Sequence, residues 1–314
     1  MSRLEELVRD AKKVALSGHI RPDGDCVGSV MAVYLYLKKN MPEIEVKVFL
    51  ETPPSIFACI KEFEIIDSNM NNQEVYDVFI ALDCNDERLG DAEPIFQRAK
   101  TRINIDHHVS NQGCGDVNIV VPDAGSTCEV VYELMNQDKL DVEIAKALYI
   151  GMIHDTGVFK YSNTSPKTLQ IAAGLIAYGF DFPKIIDETF YEKTYVQTQI
   201  MGRALLESVR FMDGKCIFSV VSKNLMEFYN ATPKDLDGII NQLRIIKGVE
   251  CAIFMYQTGN MEYKVSMRSN SYVDVSAVAS FFGGGGHVRA AGCTMKGTVH
   301  DVINNLSTRI AMQM

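Results

Sequence analysis

The chain has 314 residues, 47% of them apolar and 23% charged, the length of about two domains and an ordinary globular composition, which excludes disorder, collagen-like repeats and low complexity. No stretch approaches the roughly 18 uninterrupted apolar residues of a membrane span, the N-terminus MSRLEELVRD is charged where a signal peptide is apolar, and the eight cysteines form no C-x-x-C pair. The expectation is a cytoplasmic protein with reduced, mostly buried thiols and no membrane partner. Its net charge of −9 is uneven: from Tyr195 onward 12 Lys and Arg face 9 Asp and Glu, whereas the first 194 residues carry −12. Acidic excess disfavours a nucleic-acid binder unless the carboxylates converge on metal ions.

The first half alternates short β-rich runs with amphipathic helical stretches. Strands are predicted at VALSGH (14–19), VKVFL (46–50), DVFIALD (77–83), RINIDHH (102–108) and NIVV (118–121), with a helix near 25–39 between the first two. That is the rhythm of βαβ units around a parallel sheet. Helices follow near 126–136, 142–153, 165–178 and 183–191, and the charged stretch 187–210, without a Gly/Pro linker, reads as a helical connection between domains. Beyond it, strands at CIFSVVS (216–222), VECAIFMYQT (249–258) and MEYKVSMRS (261–269) surround a helix near 233–247. Gly259-Asn260 is a two-residue hairpin signal, so this sheet is expected to be at least partly antiparallel. Helices near 273–282 and 299–311 bracket GGGGHVRAAGCTMKG, read as a glycine-rich loop and then a strand.

Parallel sheets gather functional loops at the carboxyl ends of their strands, and there this sequence places His and Asp. His19, Asp23 and Asp25 lie within HIRPDGD, where Pro22 bends the chain and Gly24 can turn both carboxylates toward one point. Taken alone, Asp25 reads as a helix cap. Asp83 follows the apolar run VFIAL, and a buried strand ends cheaply in a carboxylate only at the sheet's open edge. Asp106, His107 and His108 repeat that placement after RINI, and Asp155 precedes Thr156-Gly157. Each has a bland explanation as turn or cap, but four together are unlike accidental clustering. Of six histidines, five (19, 107, 108, 154 and 287) lie in these segments or in the glycine-rich loop. Imidazole and carboxylate groups without thiolate suit Mn²⁺ and, less well, Mg²⁺, Co²⁺ or Fe²⁺, and disfavour a structural zinc site. His154 is open between packing and a place beside the ligands. Cys84 reads as a small packing residue, and Tyr191, Phe281 and Phe282 as core aromatics.

HIRPDGD, LDCND, DHH and HDTG, in this order and spacing, resemble the four motifs of the DHH phosphoesterases, and GGGGHVRAAG resembles the glycine-histidine motif of the accompanying DHHA1 domain. The resemblance covers essentially the whole chain, and the compact two-domain length is most similar to the NrnA-type oligoribonucleases that also dephosphorylate adenosine 3′,5′-bisphosphate. It implies an α/β fold: a parallel-sheet DHH catalytic domain over 1–186, the helical connection over 187–210, and a smaller mixed-sheet DHHA1 substrate-binding domain over 211–314. It also implies two divalent metal ions, one on His19, Asp23 and Asp83, the other on Asp25, Asp83, His107 and Asp155, with Asp83 bridging. His108 is then the catalytic group facing the scissile phosphate, and Asp106 supports the site. In the second domain Arg268, Gly284, Gly285, Gly286, His287 and Arg289 form an anion and base pocket, glycine amides and arginines taking phosphate and an arginine or histidine stacking on a base.

The expected activity is metal-dependent hydrolysis of short single-stranded oligonucleotides and dinucleotides to mononucleotides, and of adenosine 3′,5′-bisphosphate to AMP and phosphate. Long duplex nucleic acid is not an expected partner, and a homodimer is left open. A phosphodiesterase of linear or cyclic dinucleotide messengers (c-di-AMP or pApA type) uses the same domains and is the alternative. The GGGGH loop counts against an inorganic pyrophosphatase and the length against a RecJ-type exonuclease. The intact acid and histidine set counts against a metal-dependent nucleotide sensor without turnover.

Overall fold

In the computed structural model, which describes residues 2–314, α1 (Arg3–Leu7) leads into β1 (Lys13–Ser17), α2 (Gly24–Asn40), β2 (Glu45–Phe49), β3 (Val78–Leu82), α3 (Glu93–Arg98), β4 (Thr101–Asp106) and β5 (Val117–Val120). Every pairing among these strands is parallel, in the order β2-β1-β3-β4-β5. The chain winds outward from β1 to β2, then crosses back to lay β3 on the other side of β1. The carboxyl ends of β1 and β3 therefore flank the reversal, where open α/β sheets form their crevices. The unbroken apolar run of β3 follows from burial on both faces: Val78, Ile80 and Leu82 join one core, Phe79 and Ala81 the other.

Four further helices, α4 (Thr127–Leu134), α5 (Val142–Asp155), α6 (Pro166–Ile176) and α7 (Phe182–Ile186), complete this first unit, Met1–Glu192, and a π-helical turn (Asp187–Tyr191) continues α7. α2 is buried from Gly24 to Leu37 and packs against α5. Their backbones meet closely, since a Cβ on Gly28 would lie 2.7 Å from the Ala147 carbonyl oxygen.

The second unit, Lys193–Met314, contains α8 (Tyr195–Leu206), β6 (Val209–Phe211), β7 (Cys216–Val221), α9 (Lys223–Phe228), α10 (Ile239–Arg244), β8 (Cys251–Gly259), β9 (Glu262–Ser269), α11 (Val275–Phe281), β10 (Gly285–His287), β11 (Ala290–Lys296) and α12 (Val299–Ala311). Its sheet is mixed, in the order β10-β11-β9-β8-β7-β6, with β7–β8 parallel and the other pairs antiparallel. One face buries Ile253, Val265 and Met267 with residues of α11 and α12; the other buries Ala252 and Phe254 with residues of α8 and α10.

Several sequence expectations change. The 187–210 stretch is not one helix, because the π-helical turn ends in the first unit and α8 and β6 belong to the second. The helix expected near 233–247 breaks at Gly238, whose φ of 91° separates a 3₁₀ turn (Pro233–Leu236) from α10. The glycine run is not wholly a loop, since Gly285–His287 pair with β11 as an edge strand. Tyr191 and Phe281 are each 58% exposed rather than core. α11 buries only Val275, Val278 and Ala279, which leaves Phe281 on its outer side beneath the Arg309 guanidinium. No helix among the described residues is long and apolar enough to cross a membrane.

Candidate active site

His19 follows β1, Asp83 follows β3, and Asp106, His107 and His108 close β4, so strand geometry delivers them to one edge of the parallel sheet. The start of α2 adds Asp23 and Asp25, and the last residue of α5 is Asp155. Asp23, not Asp25, caps α2: its Oδ1 accepts the N–H groups of Asp25 and Cys26, both at 3.1 Å. Asp25 and Asp83 are only 1% and 2% exposed, so the edge at which they lie is covered rather than open to solvent. Their burial is compensated by α4. Asp25 accepts the otherwise unpaired N–H groups of Thr127 (2.6 Å) and Cys128 (3.0 Å), and the Thr127 hydroxyl donates to Asp83 Oδ1 at 2.9 Å. Gly151 leaves the room, since a Cβ there would lie 2.9 Å from Asp25 Oδ1. Sequence reasoning misses Thr127; the Ser126-x-x-Glu129 pattern marks a helix start but not where its N–H groups point.

His19 Nδ1 lies 2.9 Å from the Ile20 carbonyl oxygen and His107 Nδ1 3.2 Å from that of Ala124. A carbonyl only accepts, so each Nδ1 carries a proton, and Nε2 is left for a second proton or a metal ion. His19 Nε2 faces Asp83 Oδ2 at 3.4 Å and Asp23 at 3.6 Å. His107 Nε2 faces Asp155 at 3.4 Å, Asp83 Oδ1 at 3.8 Å and Asp25 at 3.9 Å, and it is buried without a hydrogen-bond partner. Asp83 thus shows one oxygen to each histidine. Three groups that can hold a cation result, the ligand atoms of each within 4.8 Å: His19 with Asp23 and Asp83, Asp25 with His107 and Asp155, and Asp83 with Asp106, His107 and His108. An orphaned buried imidazole nitrogen among mutually repelling carboxylates fits a divalent cation.

The titration of these groups tells the same story. Burial, reinforced by Asp83 and Asp155, holds the Asp25 carboxyl well above its usual range. Burial also raises Asp155 to about 6, with His107 opposing and Asp83 adding. Burial works against the His19 imidazolium, but Asp23 and Asp83 outweigh it and push it up to about 10. Without metal, Asp25 and His19 are thus the groups that favour a bound proton. Burial pushes the Cys26, Cys84 and Cys128 thiols well up, so no thiolate joins the ligands.

Asp106 is fully buried and its oxygens are spent: Oδ1 accepts the N–H groups of His107 (2.7 Å) and His108 (3.1 Å) and lies 2.8 Å from His108 Nδ1, while Oδ2 accepts from Asn111 at 2.5 Å. The hydrogen bond to Asp106 raises the His108 pKa against the opposing effect of burial. His154 packs edge-on to Phe57 and Phe190, with ring centroids 5.0 and 5.5 Å away, and its Nε2 donates to Thr189 Oγ1 at 3.2 Å. Burial lowers it to about 4, as suits a neutral packing histidine. Asn163, a second residue that sequence patterning does not single out, donates to Asp155 Oδ2 at 3.2 Å.

In the second unit the strand register sets His287, Ala290, Arg268 and Ala252 in one row across β10, β11, β9 and β8, so their side chains share a face. Over β9, β11 and β10 that face is floored by small residues, Ser266, Gly292 and Gly285. Arg268 is partly buried, donates Nη1 to the Met267 carbonyl at 3.0 Å, and forms no ion pair among the described residues. Burial and then the neighbouring Arg244 pull its pKa down. A partly buried cation without a counter-charge is suited to an anion. Arg289 is tied into the fold, donating to the Val273 carbonyl at 3.0 Å and to Ser269 Oγ at 3.4 Å. Backbone contact requires two of the glycines, since a Cβ on Gly284 would lie 2.2 Å from the Gly292 oxygen and one on Gly286 2.5 Å from that of Ala290. Gly285 faces open space, and His287 beside it is exposed.

A histidine and carboxylate cluster at the reversal of a parallel sheet, in one chain with a glycine-edged mixed sheet, places this protein in a class. The chain belongs to the DHH family: residues 13–152 match the DHH family N-terminal domain and residues 213–313 a DHHA1 domain. It is 30% identical over 289 residues to the Thermus thermophilus protein named bifunctional oligoribonuclease and PAP phosphatase NrnA, which spans 90% of this chain and 84% of that one. The Bacillus subtilis protein of the same name is 26% identical over 290 residues, 90% of this chain and 89% of its own. In fold the chain is similar to the crystal structure of an exopolyphosphatase-related protein from Bacteroides fragilis, with a TM-score of 0.86, 24% identity, and coverage of 99% and 96% of the two chains.

Proposed function

We propose that this chain is a metal-dependent phosphoesterase that hydrolyses short oligonucleotides to mononucleotides and adenosine 3′,5′-bisphosphate to AMP and phosphate. The observation that carries the reading is Asp83, a buried carboxylate with Oδ2 turned to His19 and Oδ1 to His107. The substrate class is supported by the relatives named NrnA, aligned along nine-tenths of the chain.

Divalent cations held by His19, Asp23 and Asp83 and by Asp25, Asp83, His107 and Asp155 would supply Lewis acidity toward phosphoryl oxygens and a water of lowered pKa. Oxygen-rich donors with imidazole and no thiolate favour Mn²⁺ over Zn²⁺. With Nδ1 held by Asp106, His108 directs Nε2–H to a phosphoryl oxygen and stabilises the charge that develops as the ester bond breaks. The α4 N–H groups and Thr127 keep Asp25 and Asp83 fixed, so little reorganisation accompanies the reaction. In the DHHA1 domain Arg268 and His287 hold the phosphate and base of the bound nucleotide. Arg289 adds its remaining donors, and the backbone of Gly284, Gly285 and Gly286 lets the substrate approach. The eight free cysteines suit a reducing cytoplasm.

The test is a comparison of kcat/KM under Mn²⁺ for adenosine 3′,5′-bisphosphate, linear and cyclic dinucleotides, and short RNA oligomers. Turnover of the short oligomers and the bisphosphate is expected. Preference for cyclic dinucleotides would transfer the enzyme to messenger degradation, and no turnover of any of them would overturn the proposal.

A further inference from the structure

We propose that each of the two metal-site histidines is tuned by a glutamate acting through a single peptide group: Glu129 on His107 through the Ala124–Gly125 peptide, and Glu51 on His19 through the Ile20–Arg21 peptide. The inference rests on the reading of the cluster as a divalent-cation centre and adds two residues that set its affinity from outside the ligand set.

The same three-part arrangement occurs twice. His107 Nδ1 donates to the Ala124 carbonyl at 3.2 Å, and the N–H of that same peptide, carried by Gly125, donates to Glu129 Oε2 at 3.1 Å. His19 Nδ1 donates to the Ile20 carbonyl at 2.9 Å, and the N–H of that peptide, carried by Arg21, donates to Glu51 Oε2 at 2.6 Å. In both chains Nε2 is the end that faces the site carboxylates.

Neither contact is the one local sequence would supply. Glu129 is the third residue of α4, where a glutamate in a capping box accepts the N–H of the cap residue, here Ser126; it reaches one residue further back instead. It is 1% exposed, forms no ion pair among the described residues, and its Oε2 takes a second hydrogen bond from the Thr168 hydroxyl at 2.7 Å. A buried carboxylate without a counter-charge weakens a fold, so stability alone does not account for it. Arg21 is held at a φ of 54°, uncommon for a residue with a side chain, and Glu51 meets its N–H from beyond the end of β2.

Hydrogen bonds in a chain polarise one another. A carboxylate on the peptide N–H makes the carbonyl at the other end a stronger acceptor, which draws on the Nδ1 proton and makes Nε2 a better electron-pair donor to a cation. The same chain fixes the tautomer and the ring plane. Both glutamates are therefore positioning residues. Glu129 is buried and should act strongly, whereas Glu51 is exposed and its charge is screened by water.

Calorimetric titration of Mn²⁺ into the metal-stripped full chain reads the affinity without turnover. Glu129→Gln keeps an acceptor for the Gly125 N–H and loses the charge; Glu129→Asp keeps the charge and is one methylene short of the contact. Each should weaken Mn²⁺ binding by about tenfold, and Glu129→Met, which loses both, by up to about a hundredfold. Glu51→Gln should cost about two- to fivefold, and its surface position keeps the test open if the buried substitutions disturb folding. The metal-free Tm of the glutamine variants should stay near that of the wild type. Wild-type Mn²⁺ affinity in the glutamine variants would reduce both glutamates to structural contacts, and wild-type affinity in Glu129→Asp would leave only a long-range charge. Either result overturns the relay and leaves the phosphoesterase reading standing. A wild-type chain that takes up no Mn²⁺ would sink both.

Discussion

The hydroxyl of Thr127 donates to Asp83 Oδ1 at 2.9 Å, and this bond orients the carboxylate whose other oxygen lies 3.4 Å from His19. Thr127→Val keeps the side-chain shape and deletes the donor. The expected result is a metal affinity lower by about ten- to a hundredfold, with a matching rise in the Mn²⁺ needed for half-maximal activity. Thr127→Ser should recover most of it. A metal titration identical to the wild type would show that Asp83 needs no such restraint.

Asp25→Asn should cost at least about a hundredfold in kcat and lower the bound metal per chain, while the side-chain volume beside α4 is preserved. Metal analysis and turnover under Mn²⁺ check both. Normal activity would remove Asp25 from the centre.

The Asp106 carboxylate raises the pKa of His108, so the imidazolium persists above its ordinary range and is lost as the pH rises through the raised value. The kcat profile should therefore fall on its alkaline side, and Asp106→Asn should move that fall toward acid. His108→Ala should lower kcat with metal content nearly unchanged; loss of a metal ion would instead make His108 a ligand.

His154 carries a pH signature of its own. Its pKa lies near 4 in the fold against 6.5 when exposed, so below 6.5 the unfolded chain binds more protons than the folded one. Stability from this group is complete above pH 6.5, declines as the pH falls toward 4, and changes no further below; the loss is at most about 3 kcal/mol. His154→Gln should flatten this slope, measured by urea unfolding of the metal-free protein at pH 7 and pH 4.5. An unchanged slope would mean that other groups set it.

Arg268→Ala should weaken kcat/KM for dinucleotides by roughly 1.5–3 kcal/mol, about ten- to a hundredfold or somewhat more. Metal content should be unaffected. A minimal chromogenic phosphodiester offers this arginine no second nucleotide to hold and should lose little. Equal losses on both substrates with full metal occupancy would contradict the assignment of Arg268 to substrate binding.

The sequence by itself determined the parallel sheet and the chemistry at its edge, because both are written locally. Apolar runs such as VFIAL and RINI end in Asp83 and in Asp106-His107-His108, and a strand that stops at a known residue delivers the next one to a known edge. Which oxygen faces which nitrogen was decided only by the tertiary structure. Asp25 is buried rather than a cap because the first N–H groups of α4, about a hundred positions further on, reach it. Thr127 and Asn163 join the site through contacts of the same long-range kind. The glycine run divides in the same way. A Cβ on Gly284 or Gly286 would run into the backbone of β11, whereas one on Gly285, though paired with Gly292, would face open space, a difference set by pairing with a neighbouring strand that four identical residues in a row cannot encode.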